Sequence, residues 1–105
     1  MDQDGTETIF SVSTSTDGDR ATVVVGGEVD MATADAMYGA ATDGGVGRVT
    51  LDLREVTFFD SAGIHALIRL AARYPGALEV IPSPPVHRVL EIAGLAGQPW
   101  LLPRG

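Results

Sequence analysis

Between residues 48 and 73 the apolar pattern changes its period once, across Asp60-Ser61-Ala62-Gly63. Before the change, in RVTLDL, Val49, Leu51 and Leu53 alternate with Arg48, Thr50 and Asp52, the two-residue repeat of a strand. After it, Ile64, Leu67, Ile68 and Ala71 follow the i, i+3, i+4, i+7 spacing of a helix with one apolar stripe. A strand passing directly into a helix opens a β-α-β unit, and that unit needs a parallel neighbour reached by a right-handed crossover. A strand with helices on both faces would be almost wholly apolar; the alternation in RVTLDL instead predicts helices mainly on one face.

The rest of the chain fits this frame. TIFSVSTS (8–15) and RATVVVGGEV (20–29) read as strands rich in Val, Ile and Thr, and TDGD between them supplies the residues of a hairpin turn. MATADAMYGAAT (31–42) has helical spacing, with Ala32, Ala36, Met37, Ala40 and Ala41 on one face, and the glycines of DGGVG end it. YPGA breaks the second helix, LEVI (78–81) is a fourth strand, and PSPPVHRVLEIAGL is a third helix with Ser83 as N-cap, Pro84 in its first turn and Gly94 as its stop. The expected fold is α/β, one domain over residues 1–105, with a mixed four-stranded sheet in the order β-β-α-β-α-β-α. Residues 1–7 are expected to be flexible. Pro99 and Pro103 make residues 96–105 a non-helical tail whose Trp100, Leu101 and Leu102 pack against the sheet or the third helix.

Charge and composition exclude several functions. The net charge is −7, all seven basic residues are arginine, and a nucleic-acid partner would need a cationic surface. With no cysteine there are no disulfides and no thiolate metal site. No apolar run reaches the roughly 18–20 residues that cross a bilayer, and the acidic start MDQDGTET lacks the regions of a secretory signal, so a cytoplasmic protein without membrane contact is expected. Catalytic motifs are missing as well. FFDSAG lacks the first glycine of a nucleophile elbow, DGGVGRV is glycine in a turn rather than a phosphate-binding loop, and a receiver domain would need a lysine. His65 reads as a helix-surface or partly packed residue, and His87, beside Arg88, as solvated. The chain is expected to be no enzyme, with no cofactor and no metal.

Asp60 and Ser61 therefore stand at the mouth of a helix with no catalytic partner. Both are favoured N-cap residues, and a cap alone explains them. A cap is compatible with display, because a serine at a helix N-terminus is held in place where the dipole tolerates a phosphate.

DLREVTFFDSAGIHALI also resembles the signature of STAS domains, in particular the bacterial anti-sigma factor antagonists, whose D-L-x-x-V-x-F-x-D-S-x-G strand delivers a phosphorylatable serine to a helix start. VGGEVDMATA resembles the family's G-E-[LV]-D segment and SPPVHRVLEIAGL its S-P-x-V-x-R-x-L-x-x-x-G-L helix, in the same order. The resemblance implies that Ser61 is the phosphoacceptor and that Asp30, Asp60, Ser61, Ala62, Gly63 and Ile64 meet the partner. It implies an anti-sigma factor that is also a serine kinase, whose capture frees a sigma factor in a stress response, and a metal-dependent serine phosphatase that resets the serine. The antagonist would be a monomer or weak homodimer. The alternative is a STAS module that does not switch and acts as a scaffold or binds a nucleotide or lipid. The family often continues into a further helix where this chain has AGQPWLLPRG.

Overall fold

A computed structural model describes residues 10–103. The expected flexible stretch 1–7, the first two residues of the expected opening strand and the last two residues of the tail lie outside the described residues. The elements are β1 (Phe10–Asp17), β2 (Arg20–Val29), α1 (Ala34–Thr42), β3 (Arg48–Phe59), α2 (Ser61–Arg73), β4 (Leu78–Ile81) and α3 (Pro84–Ile92). They form one sheet in chain order, β1 antiparallel to β2 and β2, β3 and β4 parallel. This is the mixed sheet and the element order that the sequence predicts.

The two-residue turn Gly18-Asp19 closes the first hairpin, with Asp17 opposite Arg20. One face of the sheet is the core. Val23 and Val25 from β2, Val49, Leu51 and Leu53 from β3, and Val80 from β4 are fully buried with Met37 and Ala41 of α1, Leu67 and Leu70 of α2, and Val86 and Leu90 of α3. Each such valine or leucine stabilises the fold by about 1.5–3 kcal/mol before the entropy of ordering it is set against that gain. The other face is polar. There the Arg20 guanidinium donates to Thr50 Oγ1 at 2.7 Å and pairs with Glu79 at 3.4 Å.

Two helical stripes differ from the pattern read in the sequence. In α1 the buried residues are Ala34, Met37 and Ala41, while Ala32 and Ala36 are exposed and Ala40 is half-buried. The helix begins at residue 34 because a turn built by Asp30 and Thr33 occupies the preceding residues. In α2 the buried series is Gly63, Ala66, Leu67 and Leu70, which has the expected i, i+3, i+4, i+7 spacing displaced by one residue. Leu67 is common to both series; Ile64 and Ala71 are half-buried, and Ile68 is 46% exposed.

β3 departs from strict alternation. Its register against β2 shifts twice, between Val24 and Gly26 and again between Gly27 and Glu28, leaving one extra residue on β3 each time. Such bulges reset which side chains face inward. Burial therefore runs Leu53, Val56, Phe59, and the adjacent phenylalanines separate: Phe59 is 3% exposed and Phe58 47%.

α3 starts on Ser83, whose Oγ accepts from Val86 N and donates to Val56 O at 2.7 Å, tying the helix to the bulged part of β3. It ends in a Schellman motif: Leu95 N donates to Leu90 O, Gly94 N donates to Glu91 O, and Gly94 has φ 80°. No helix follows within the described residues. Instead Val80 N donates to Trp100 O at 2.8 Å and Leu102 N donates to Val80 O at 2.9 Å, so the tail lies along the outer edge of β4.

Candidate functional site

The last register pair of the parallel strands β2 and β3 is Val29 opposite Phe59, and the next residue of each strand is an aspartate. Parallel pairing thus brings Asp30 and Asp60 to the same edge of the sheet, and Asp60 N donates to Val29 O across the gap. Each aspartate then builds the start of a helix. Asp30 Oδ1 accepts from Ala32 N at 2.9 Å and faces Thr33 Oγ1 at 3.2 Å. The Thr33 hydroxyl oxygen accepts from Asp30 N and its proton reaches Glu28 O, so the turn into α1 is closed from both sides. Asp60 has extended backbone, and its Oδ1 accepts from Ala62 N at 2.9 Å, satisfying one of the amides at the start of α2.

Ser61 is the first residue of α2 and is exposed, with no hydrogen-bond partner for its side chain among the described residues. Ala62 and Ile64 beside it are half-buried. Gly63 is buried, so it shapes the surface rather than contributing a side chain to it. A β-carbon built on Gly63 would lie 2.7 Å from Cε1 and Cζ of Phe59. Glycine is what allows the first turn of α2 to rest on that ring, and the contact fixes where Ser61 emerges.

The electrostatics of this edge are one-sided. The ion pairs among the described residues are Arg20–Glu79, Arg54–Asp52 and Arg69–Asp35, and none of them engages Glu28, Asp30 or Asp60. Two apolar side chains stand out of the same edge, Met31 at 83% exposure and Phe58 at 47%. Helical spacing places Met31 in a helix, whereas it lies in the turn before α1; Phe58 lies in β3 at the expected end of the strand, and its outward facing follows from the bulges. Thr33 was missed, although D-x-x-T at a strand end is a legible turn signal.

Catalytic equipment is sparse. Among the described residues there is no cluster of three or more His, Asp or Glu suited to a metal ion. Two surface hollows lie away from this edge, one on α3 between Pro84, His87 and Arg88 and one under the tail between Tyr74, Trp100 and Leu102; neither includes Ser61. His65 is exposed one helical turn beyond Ser61, and His87 is half-buried on α3. The arrangement offers a hydroxyl on an open, acidic surface, suited to being acted on by another protein. No described helix is long and apolar enough to cross a membrane.

Comparison with known proteins agrees with the fold. A family model described as "Mlab, STAS domain" matches residues 12–103. An anti-sigma factor antagonist from Mycobacterium paratuberculosis has a similar structure, with TM-score 0.76 and 25% identity over 90% of this chain and 86% of that one. The anti-sigma factor antagonist SpoIIAA in its unphosphorylated form matches with TM-score 0.65 and 23% identity over 89% and 85%. The phosphorylated form of SpoIIAA, a Bacillus cell fate determinant, matches with TM-score 0.58 and 21% identity over 89% and 88%. No curated protein matches by sequence.

Proposed function

The chain belongs to the STAS domain family, and from that premise we propose that it is an anti-sigma factor antagonist switched by phosphorylation of Ser61. It binds an anti-sigma factor that is also a serine kinase through the edge formed by Asp30, Asp60, Ser61, Ala62 and Ile64, and so frees a sigma factor. The observation that carries this reading is the exposed Ser61 hydroxyl at the first position of α2, beside two aspartates that no cation neutralises among the described residues. The M. paratuberculosis antagonist, similar over most of both chains, supports the role.

The switch follows from charge. The kinase transfers the γ-phosphoryl group of ATP to Ser61 Oγ: the new Oγ–P bond forms, the bond to the ADP oxygen breaks, and the hydroxyl proton is released. The serine gains about −1.5 to −2 charges. At a helix N-terminus that charge is tolerated, with roughly 0.3–1 kcal/mol of local stabilisation, so the domain stays folded. Against a docked partner the same charge adds to Asp30 and Asp60 and must be desolvated with them. Every ~1.4 kcal/mol of penalty weakens binding tenfold. A metal-dependent serine phosphatase then restores the hydroxyl.

Incubation with ATP and the cognate kinase tests the proposal by intact mass: one added phosphate is expected, on Ser61, and none in Ser61→Ala. A second reading is a STAS module that does not switch and acts as a scaffold or binds a nucleotide or lipid; it is kept open by a family description that names Mlab and no anti-sigma factor antagonist. An unmodified mass in the presence of an active kinase would select it.

A further inference from the structure

Ser61 and His65 are separated by one turn of α2, both exposed, and Arg69 continues the same row one turn later. Residues four apart on a helix carry their β-carbons about 5–6 Å from each other, and an acid placed N-terminal to a base is the favourable order. Arg69 is already engaged: its guanidinium stands 4.1 Å over the Tyr38 ring and 4.0 Å from Asp35, both on α1. His65 has no hydrogen-bond partner among the described residues. We propose that His65 is the counter-ion of a phosphate on Ser61, a positioning residue that holds the phosphoryl group along the axis of α2.

The inference rests on the proposed phosphorylation but makes a separate claim about this chain. A phosphoserine loses its second proton near pH 6, where an ordinary histidine still carries much of its charge. The other charged groups around this end of the sheet are Asp60 at the cap of α2, Glu28 and Asp30 at the end of β2, and Asp35 of α1, with Arg69 stacked on the Tyr38 ring between the helices. Asp30 and Asp60 repel a phosphate, and Arg69 is held one turn further off. His65 is thus the available cation on the phosphate's own helix face. Its pairing draws the phosphate away from the two aspartates.

The test needs no kinase. Phosphoserine is incorporated at position 61 by genetic encoding, and the phosphorus NMR signal is followed from pH 5 to 8 at low salt. The midpoint of the phosphate titration is expected roughly 0.15–0.4 unit lower than in His65→Gln, because the second ionisation adds one charge to an i, i+4 ion pair. His65→Arg is expected to keep the low midpoint, molar salt to remove the difference, and His87→Gln on α3 to leave it unchanged. Equal midpoints in the parent and the His65→Gln variant, with both folded, overturn the pairing. That result leaves the kinase-driven switch standing, whereas failure of the kinase to modify Ser61 sinks the switch and leaves this titration unaffected.

Discussion

Gly63 lies against the ring of Phe59 so closely that a β-carbon would come within 2.7 Å of two ring carbons and 2.9 Å of a third. Phe59 is 3% exposed, so the ring cannot swing away without disturbing the core. Gly63→Ala therefore sets two effects against each other. Alanine in a helix is favoured over glycine by about 0.8–1 kcal/mol, and overpacking a full core costs about 1–3 kcal/mol. A net loss of about 0.5–2 kcal/mol in urea unfolding is expected. Phe59→Leu in the Gly63→Ala background should recover part of it, through a favourable coupling in the double-mutant cycle. Simple additivity would show that the two residues do not compete for the same space.

Substitutions at Ser61 are expected to separate binding from folding. Ser61→Ala and Ser61→Asp are both expected to unfold within about 0.5 kcal/mol of the parent, because the side chain is exposed and makes no bond among the described residues. In calorimetric titration with the cognate kinase, Ser61→Ala should bind within about threefold of the parent and Ser61→Asp at least tenfold more weakly, a penalty of about 1.4 kcal/mol or more. Parental affinity in the aspartate variant would remove charge as the basis of release.

Period changes in the sequence located the strands and the Asp60-Ser61 junction, because alternation and helical spacing follow from which side chains must be buried. β2 was legible from its Val and Thr content and β4 as a short apolar run after a breaker, and the order of elements followed. The inward facing of Phe59 rather than Phe58 could not be read, since it depends on two bulges set by pairing between strands. The one-residue displacement of the α2 stripe has a similar origin: Gly63 carries no apolar side chain, yet its lack of one is what decides the contact with Phe59. The placing of Asp30 beside Asp60 was legible as well, since each aspartate closes a strand and a parallel arrangement of the two strands brings both to one sheet edge.

Asp30 combines turn and charge, and two substitutions divide them. Its carboxylate accepts from Ala32 N and contacts Thr33 Oγ1. Asp30→Asn keeps an acceptor oxygen and should change stability by less than about 0.5 kcal/mol, while Asp30→Ala loses the turn bond at a cost of about 1 kcal/mol, as for helix caps. Both should weaken kinase binding or slow phosphorylation if the charge matters to the partner. Parental binding by the asparagine variant would confine Asp30 to the turn.

Ser83 is buried at 2% exposure and serves two backbone groups, donating to Val56 O at 2.7 Å and accepting from Val86 N. Ser83→Ala leaves a carbonyl in the bulged part of β3 and an amide of α3 without partners. A loss of about 1–3 kcal/mol is expected in chemical denaturation. Ser83→Thr keeps the hydroxyl and should lose less unless its extra methyl is too large for the site. A loss below about 0.5 kcal/mol for Ser83→Ala would mean that both backbone groups find other partners.

Acid should act on the fold partly through Asp52. Arg54 donates to both carboxylate oxygens, Nε to Oδ1 at 3.0 Å and a terminal nitrogen to Oδ2 at 2.8 Å. These bonds hold the Asp52 carboxyl below the usual carboxylate range, against the opposing effect of burial. In the unfolded chain that group titrates near pH 3.9. A carboxyl depressed only in the fold contributes stability that is complete above the unfolded value and disappears as pH falls through the lower folded one. The contribution should thus be present at pH 7, begin to fall below about pH 5, and be gone once Asp52 is protonated in both states. Arg54→Gln removes the charged donor, so its urea midpoint should lie below the parent's at pH 7, and the two should converge as pH drops towards about 2. The guanidinium is 65% exposed, so salt should narrow the gap at neutral pH. A difference that stays constant across that whole pH range would assign the effect of Arg54 to packing of its side chain rather than to the ion pair.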